Sequence, residues 1–338
     1  MKKSLLALAA LTAFAGVASA QSSVTLFGIV DQSVFWTKND NTSLKGVASN
    51  QLNSNRLGFR GVEDMGGGLK AGFWLEAGMD NDTGGVGGSN GIGSVMFNRR
   101  STVSLMGNFG ELRIGRDYTP SFWNYTIFDP FGTNGPGSML NVASLGLGSG
   151  AITGVRDNNS VGYFLPAMGG LYGQLMMAAG EGVAGQKYQG GRLGYAAGPL
   201  NVAAAYGKTS QNGAMVDAYS DKNIGASYAF GPATLIGQYS KRDYSTLSQK
   251  TWLIGGTYVI GASTLKASFT KSNGSNSTLQ AKQWAIGYQY DMSKRTALYT
   301  TYSSISNDTG AAANVGLGLA AVAGGKSQGL VLGVRHAF

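Results

Sequence analysis

The chain has 338 residues, with 26 Lys and Arg against 17 Asp and Glu for a formal charge of +9, only 13% charged residues, 54 Gly and no Cys. Disulfides cannot hold such a fold. The basic residues are scattered between apolar segments rather than gathered in a basic helix or beside stacking aromatics, which argues against a nucleic-acid partner.

In chain order, Met1-Lys2-Lys3, the apolar run Leu5 to Phe14 and the small residues Ala18-Ser19-Ala20 read as a cleaved signal peptide, 1–20. Its removal takes two lysines from the formal charge and leaves 21–338 as one domain. Beyond it no run approaches the roughly 18 to 20 apolar residues that a spanning helix needs. An exported chain without spanning helices remains.

Period-2 segments then follow at Val24 to Trp36, Asn53 to Glu63, Leu69 to Met79, Phe97 to Gly107 and Glu111 to Asp117. The links at Asp64 to Gly68 and Asn108 to Gly110 are short. Those at Thr37 to Leu52 and Asp80 to Met96 are long and polar or Gly-rich, and such alternation is what a barrel with turns on one rim and loops on the other requires. The longest interruption, about 118–157, carries Pro120, Pro130 and Pro136 with Phe122, Trp123, Tyr125, Phe128 and Phe131. Excursions of that length are functional or disordered, and the aromatics imply packing. The loop is therefore expected to fold into a lumen.

Alternation resumes over eleven more segments, from Ser160 to Leu165 through Gln328 to Phe338. Trp284, Ile286, Tyr288 and Tyr290 share one face; Leu265, Ala267 and Phe269 oppose Lys266, Ser268 and Thr270. The last segment places Leu330, Leu332, Val334 and Phe338 opposite Val331, Gly333, Arg335 and Ala337, and the chain stops on a strand residue. Closure in lipid leaves no edge unpaired. Five plus eleven segments predict an all-β fold, a 16-stranded antiparallel transmembrane β-barrel, wide enough for a water-filled channel.

Particular stretches resemble the general porins of β-proteobacteria, including neisserial and Comamonas/Delftia-type outer-membrane porins. They are Ser23-Val-Thr-Leu-Phe-Gly-Ile-Val-Asp31, Arg56-Leu-Gly-Phe-Arg-Gly-Val-Glu-Asp64, Phe109-Gly-Glu-Leu-Arg-Ile-Gly-Arg116, Tyr288 through Ser293-Lys-Arg-Thr-Ala-Leu-Tyr299, and Gly333-Val-Arg-His-Ala-Phe338. The similarity covers essentially the whole mature chain. It implies an outer-membrane homotrimer whose third external loop forms a constriction; trimerisation rests on the resemblance alone.

The pore lining follows from parity. Arg56 and Arg60 oppose Leu57 and Phe59, and facing them to lipid would cost about 2 to 4 kcal/mol each at mid-bilayer. Arg113 opposes Leu112 and Ile114, Arg192 opposes Leu193, and Arg156 sits where the long loop rejoins the wall. Alternation from Val103 and Leu105 selects Arg100 as inward, whereas the resemblance favours Arg99, so both stay open. With Arg116 these form the expected constriction set. Glu76, Asp117 and Asp129 supply a minority acidic side. A ring of one sign selects ions of the other, so small anions and small hydrophilic solutes are the expected cargo. The bland alternative is that such arginines merely satisfy inward positions through salt bridges.

Enzymatic readings fare poorly. His336 is the single His, no His or Cys cluster suits a metal, and Asp80 to Gly84 lacks the distal Glu of a calcium loop. No cofactor is implied. An outer-membrane barrel enzyme and a surface adhesin are the alternatives, the latter needing polar outer faces where this chain has apolar ones.

Overall fold

The computed structural model describes residues 23–89, 94–143, 154–182, 187–210 and 218–338. The signal peptide reading lies outside the described residues. Strand β1 (Ser23–Asn39) turns tightly into β2 (Ser43–Ser49), followed by β3 (Arg56–Gly66) and β4 (Leu69–Asp80). Two-residue ladders β5 (Gly85–Val86), β6 (Gly88–Ser89) and β7 (Ser94–Val95) decorate the next loop, before β8 (Arg100–Gly107) and β9 (Gly110–Tyr118). Helices α1 (Pro120–Ile127) and α2 (Leu140–Ala143) interrupt the wall. It resumes with β10 (Arg156–Phe164), β11 (Leu171–Ala178), β12 (Tyr188–Ala197), β13 (Leu200–Thr209) and β14 (Tyr219–Phe230). The remaining strands are β15 (Ala233–Tyr244), β16 (Leu247–Ile260), β17 (Ser263–Gly274), β18 (Ala281–Asp291), β19 (Thr296–Asn307) and β20 (Lys326–Ala337).

Every neighbour in the wall is antiparallel, and the sheet closes. One edge of β1 pairs with β20 from Ile29 opposite Ala337 to Asn39 opposite Ser327. The other edge pairs with β3 over Ser23 to Ile29 and with β2 over Gln32 to Lys38. β2 and β3 thus make one wall strand, and with β5 counted as loop the eighteen-member sheet is a barrel of sixteen strands. The terminal Phe338 exchanges both backbone hydrogen bonds with Gly28, each 3.1 Å, so the last residue seals the seam.

The burial pattern is inverted relative to a water-soluble protein. Outward residues are apolar and exposed, among them Leu175 at 64% and Ile286 at 53%, whereas inward residues such as Asp31, Ser303 and Thr270 are polar and fully covered. Lipid is the solvent for the first set, and for the second the cover is the chain itself, folded inward. At the short-turn rim Gly231 takes φ 60° between β14 and β15, a left-handed conformation that glycine adopts without a Cβ clash.

Several boundaries differ from the sequence reading. The expected long link from Thr37 to Leu52 is mostly strand: β1 runs on to Asn39, whose side chain accepts the N–H of Asn41 and Thr42, and β2 follows at once. What leaves the wall is residues 50–55, which step inward. Strand β10 begins at Arg156 rather than Ser160, because a bulge between Asp157 and Ser160 absorbs Asn158 and Asn159. After β19, the segment 308–325 tucks into the mouth, burying Ala313, Val315 and Leu317 against Ile305, Tyr299, Val331 and Val142.

Candidate pore constriction

The long loop between β9 and β10 does enter the lumen. Pro120 opens α1, where its missing N–H goes unneeded. The helix and the turn after it bury Tyr125 and Phe128, which with Met139 and Ala143 pack on Ala203, Ile236 and Leu253 of the inner wall. Phe128 occupies the space a Cβ at Gly225 would fill.

Polar bonds fix this packing. Tyr125 OH donates to Asp221 Oδ1 at 2.9 Å, and Arg242 Nε donates to Tyr125 OH at 3.1 Å and lies 3.3 Å from Asp221 Oδ2. A second Arg242 nitrogen reaches Ala143 O at 2.5 Å. Arg192 Nε donates to Asn124 Oδ1, and Asn124 Nδ2 to Ala203 O at 3.1 Å.

At the loop's tip Asp129 accepts the backbone N–H of Phe131, Met139 and Thr133 at 2.9, 3.0 and 3.2 Å. Burial pushes its carboxyl up to about 6, the three N–H bonds opposing that rise. Beyond it, Asn134 Oδ1 accepts from Ser54 Oγ at 2.8 Å, and Gly135, at φ 62°, packs so closely on Gln51 O that no side chain fits there. The inward step 50–55 therefore clasps the loop. It hangs from a buried knot in which Asp31 accepts Tyr299 OH and the N–H of Leu52 and Asn53.

Between loop and wall lies a cavity of about 540 Å³. Its wall side carries Arg56, Arg99 and Arg156, with Lys266 from β17. Glu76 Oε1 takes Arg99 Nε at 2.6 Å and lies 3.3 Å from Arg56 Nη1, and its Oε2 takes Trp74 Nε1 at 3.0 Å. The Arg156 guanidinium stacks 4.1 Å over the Tyr118 ring, and Arg99 Nη2 reaches Tyr118 OH at 3.3 Å. Two arginines thus share one carboxylate, and the third rests on a tyrosine face.

The expected set divides on inspection. Arg56, Arg99, Arg156 and Asp129 line the cavity, with Glu76 behind the first two. Arg99 and Arg100 both face the lumen: a bend puts Arg99 before β8, where its N–H bonds Glu76 O at 3.1 Å, and Arg100 then starts the regular parity. Arg60 and Arg100 stand at either side of the Trp74 ring, 5.1 and 4.6 Å from its centre, with Arg60 nearer the short-turn rim. Asp117 belongs to an adjoining ladder, 2.5 Å from Arg113 and 3.9 Å from Arg100.

One member, Arg116, falls elsewhere. Arg116 pairs in register with Ser101 on the parity of Ile114, and its guanidinium is held by Asn98 O at 2.6 Å and Asn158 Oδ1 at 2.7 Å, away from the cavity. Asp129 touches the cavity chiefly as the organiser of its own loop. Sequence reasoning had Lys266 as inward but did not bring it here, and passed over Asn53, Ser54 and Arg242; their neighbours come from the folded loop, which leaves no periodic signal. His336 ends up on the exposed face beside Thr296 Oγ1 at 2.9 Å, and among the described residues no three His, Cys, Asp or Glu cluster as metal ligands do.

A lipid-embedded barrel narrowed by an inward loop with a wet, charged gap defines a transmembrane diffusion channel. The Gram-negative porin family matches residues 7–310, and the chain belongs to that family, whose place is the outer membrane. The chain is 38% identical to outer membrane porin protein 32 of Delftia acidovorans over the full length of both. It superposes on the anion-selective porin from Comamonas acidovorans with TM-score 0.85 and 34% identity, covering 94% of this chain and all of that one. Major outer membrane protein P.IB of Neisseria meningitidis is 35% identical over 34% of each chain.

Proposed function

We propose that this porin passes small hydrophilic solutes passively and prefers anions, selecting them at the cavity bounded by Arg56, Arg99, Arg156 and Lys266. The observation that carries this is the charge balance among the described residues: four cations border the gap, Glu76 is ion-paired with two of them, Arg56 and Arg99, and Asp129 is bound up in its own loop. An anion about 5 Å from one such charge gains about 1 to 3 kcal/mol at effective dielectric constants of 80 to 20. Exposed charges farther away than the Debye length of about 10 Å at 0.1 M salt contribute little. The name of the Comamonas relative supports the same reading. The mature chain, 21–338, works as a homotrimer and as a channel rather than an enzyme, readings supported by the family resemblance.

The test is the reversal potential of the purified protein in a planar bilayer under a potassium chloride gradient. The sign should report chloride as the more permeant ion; a potassium-selective sign overturns the assignment.

A further inference from the structure

One side chain at the gap is not accounted for by charge. Helix α1 buries Ser121, Asn124 and Tyr125 against the wall and leaves Trp123 and Thr126, three residues apart and so on one face, half-buried at the cavity. The Trp123 and Tyr118 rings meet edge to face, their centres 5.1 Å apart at 69°. Among the described residues no cation is stacked on Trp123, and its Nε1 has no hydrogen-bond partner. Tyr118 differs, since it carries the Arg156 guanidinium on its face and stacks on Phe122 at 4.9 Å.

The lumen of such a barrel is lined by polar residues. An indole there shows apolar surface to water, and a Trp N–H in a covered place ordinarily finds an acceptor. Trp123 thus stands out from its surroundings in both respects. The cavity it borders, about 540 Å³, falls in the range of small-molecule sites, about 300 to 1,000 Å³. It has a cationic side, Arg56, Arg99, Arg156 and Lys266, and an aromatic side on the loop. The two sides meet at Tyr118: Arg156 lies on its face and Trp123 at its edge, so one small molecule can touch both. Arg156 has no carboxylate partner among the described residues, whereas Arg56 and Arg99 are tied to Glu76. The same pairing recurs elsewhere along the lumen, where Arg60 lies 5.2 Å from the centre of the Phe27 ring and Arg113 4.0 Å from that of Phe164.

We propose that the constriction is a binding site for aromatic carboxylates, of which benzoate is the simplest, with the carboxylate on Arg156 and the ring against Trp123. This rests on the anion preference argued above and names the class of anion that the same cavity holds best. A guanidinium fork matches the two oxygens of a carboxylate, and a chloride ion uses the cationic side alone. A ring set against the indole gains about two- to ten-fold in affinity beyond what burial of the same area gives. Were Trp123 only a brace for Tyr118 beneath Arg156, aromatic and saturated acids of one size would bind alike.

The experiment records potassium chloride currents of the full channel in planar bilayers while sodium benzoate or sodium cyclohexanecarboxylate, equal in charge and similar in size, is added. Benzoate should halve the conductance at a concentration about two- to ten-fold below that needed with the saturated ring. Trp123→Leu should erase the difference and Trp123→Phe should keep it. In both variants a chloride-selective reversal potential equal to that of the unmodified channel certifies that the loop is in place. Equal block by the two acids in a chloride-selective channel, or a difference that survives Trp123→Leu, overturns the proposal and leaves the anion assignment standing. A potassium-selective potential in the unmodified channel overturns the anion assignment and this inference with it. Loss of chloride preference in Trp123→Leu makes Trp123 a brace for Arg156 and overturns its role in taking the ring.

Discussion

The two sides of the constriction are built on opposite plans. On the loop side, charges are matched: Arg242 meets Asp221 and Tyr125, and aromatic side chains fill notches in the wall. On the wall side, Arg56 and Arg99 divide Glu76 between them, while Arg156 has a tyrosine face and a Nε without a protein partner. The lesson is a division of labour. Paired charges hold the loop in place, and charge left over faces the solute.

That contrast can be broken at its anchor first. Arg242→Met strands Asp221 in a buried site, and losing one member of a buried pair costs about 3 to 5 kcal/mol. The folded band on a denaturing gel should convert at a lower temperature, and single-channel records should become noisier as the loop loosens. Unchanged records would mean that apolar packing alone holds the loop.

The wall side should respond differently. Arg156→Gln removes a charge whose interaction with a nearby anion is about 1 to 3 kcal/mol, so chloride-to-potassium permeability should fall several-fold while the gel behaviour stays put. Lys208→Gln on the outer face serves as the control and should leave permeability unchanged.

A third variant tests the clasp. Tyr299→Phe deletes the hydroxyl donated to Asp31, a hydrogen bond to a buried carboxylate of about 1.5 to 3 kcal/mol. The step 50–55 should shift and conductance should change modestly, with selectivity kept because no eyelet charge is removed. A loss of selectivity would show that the clasp also sets the arginines.

Smallest is the effect of pH. The Asp129 carboxyl, raised by burial to about 6 from an ordinary value of 3.8, holds its proton more tightly in the folded loop. Loop stability therefore falls as pH rises from about 4 through about 6 and levels off above. Between pH 7 and pH 5 the tip loses a negative charge facing Lys266, so anion preference should rise slightly. In Asp129→Asn that step should vanish; a step that persists belongs to another group.

Much of the barrel was legible because alternation is a local property. Trp284, Ile286 and Tyr288 announce their face within five residues, and the closing strand alternates in the same way from Leu330 to Val334 before pairing with β1. β2 was hidden because Lys45 and Gly46 dilute Leu44 and Val47, the apolar residues of so short a strand. Parity also fails where the wall is irregular: the bend before β8 brings Arg99 inward beside Arg100, and Arg116 sits next to the β10 bulge on the outward register. The arginines nearest the gap could be guessed from strand faces. Lys266, Ser54 and Arg242 could not, since their roles depend on where a loop with no periodicity comes to rest.

The central claim is that unmatched arginines at the wall, and not the overall basic charge, set ion preference. The direct test is the reversal potential of the triple variant Arg56→Gln, Arg99→Gln, Arg156→Gln beside the unmodified channel, both shown to be folded by heat-modifiable migration. The account predicts a chloride-selective potential in the unmodified channel that collapses toward zero or reverses in the variant. An undiminished chloride preference in the folded variant would contradict it.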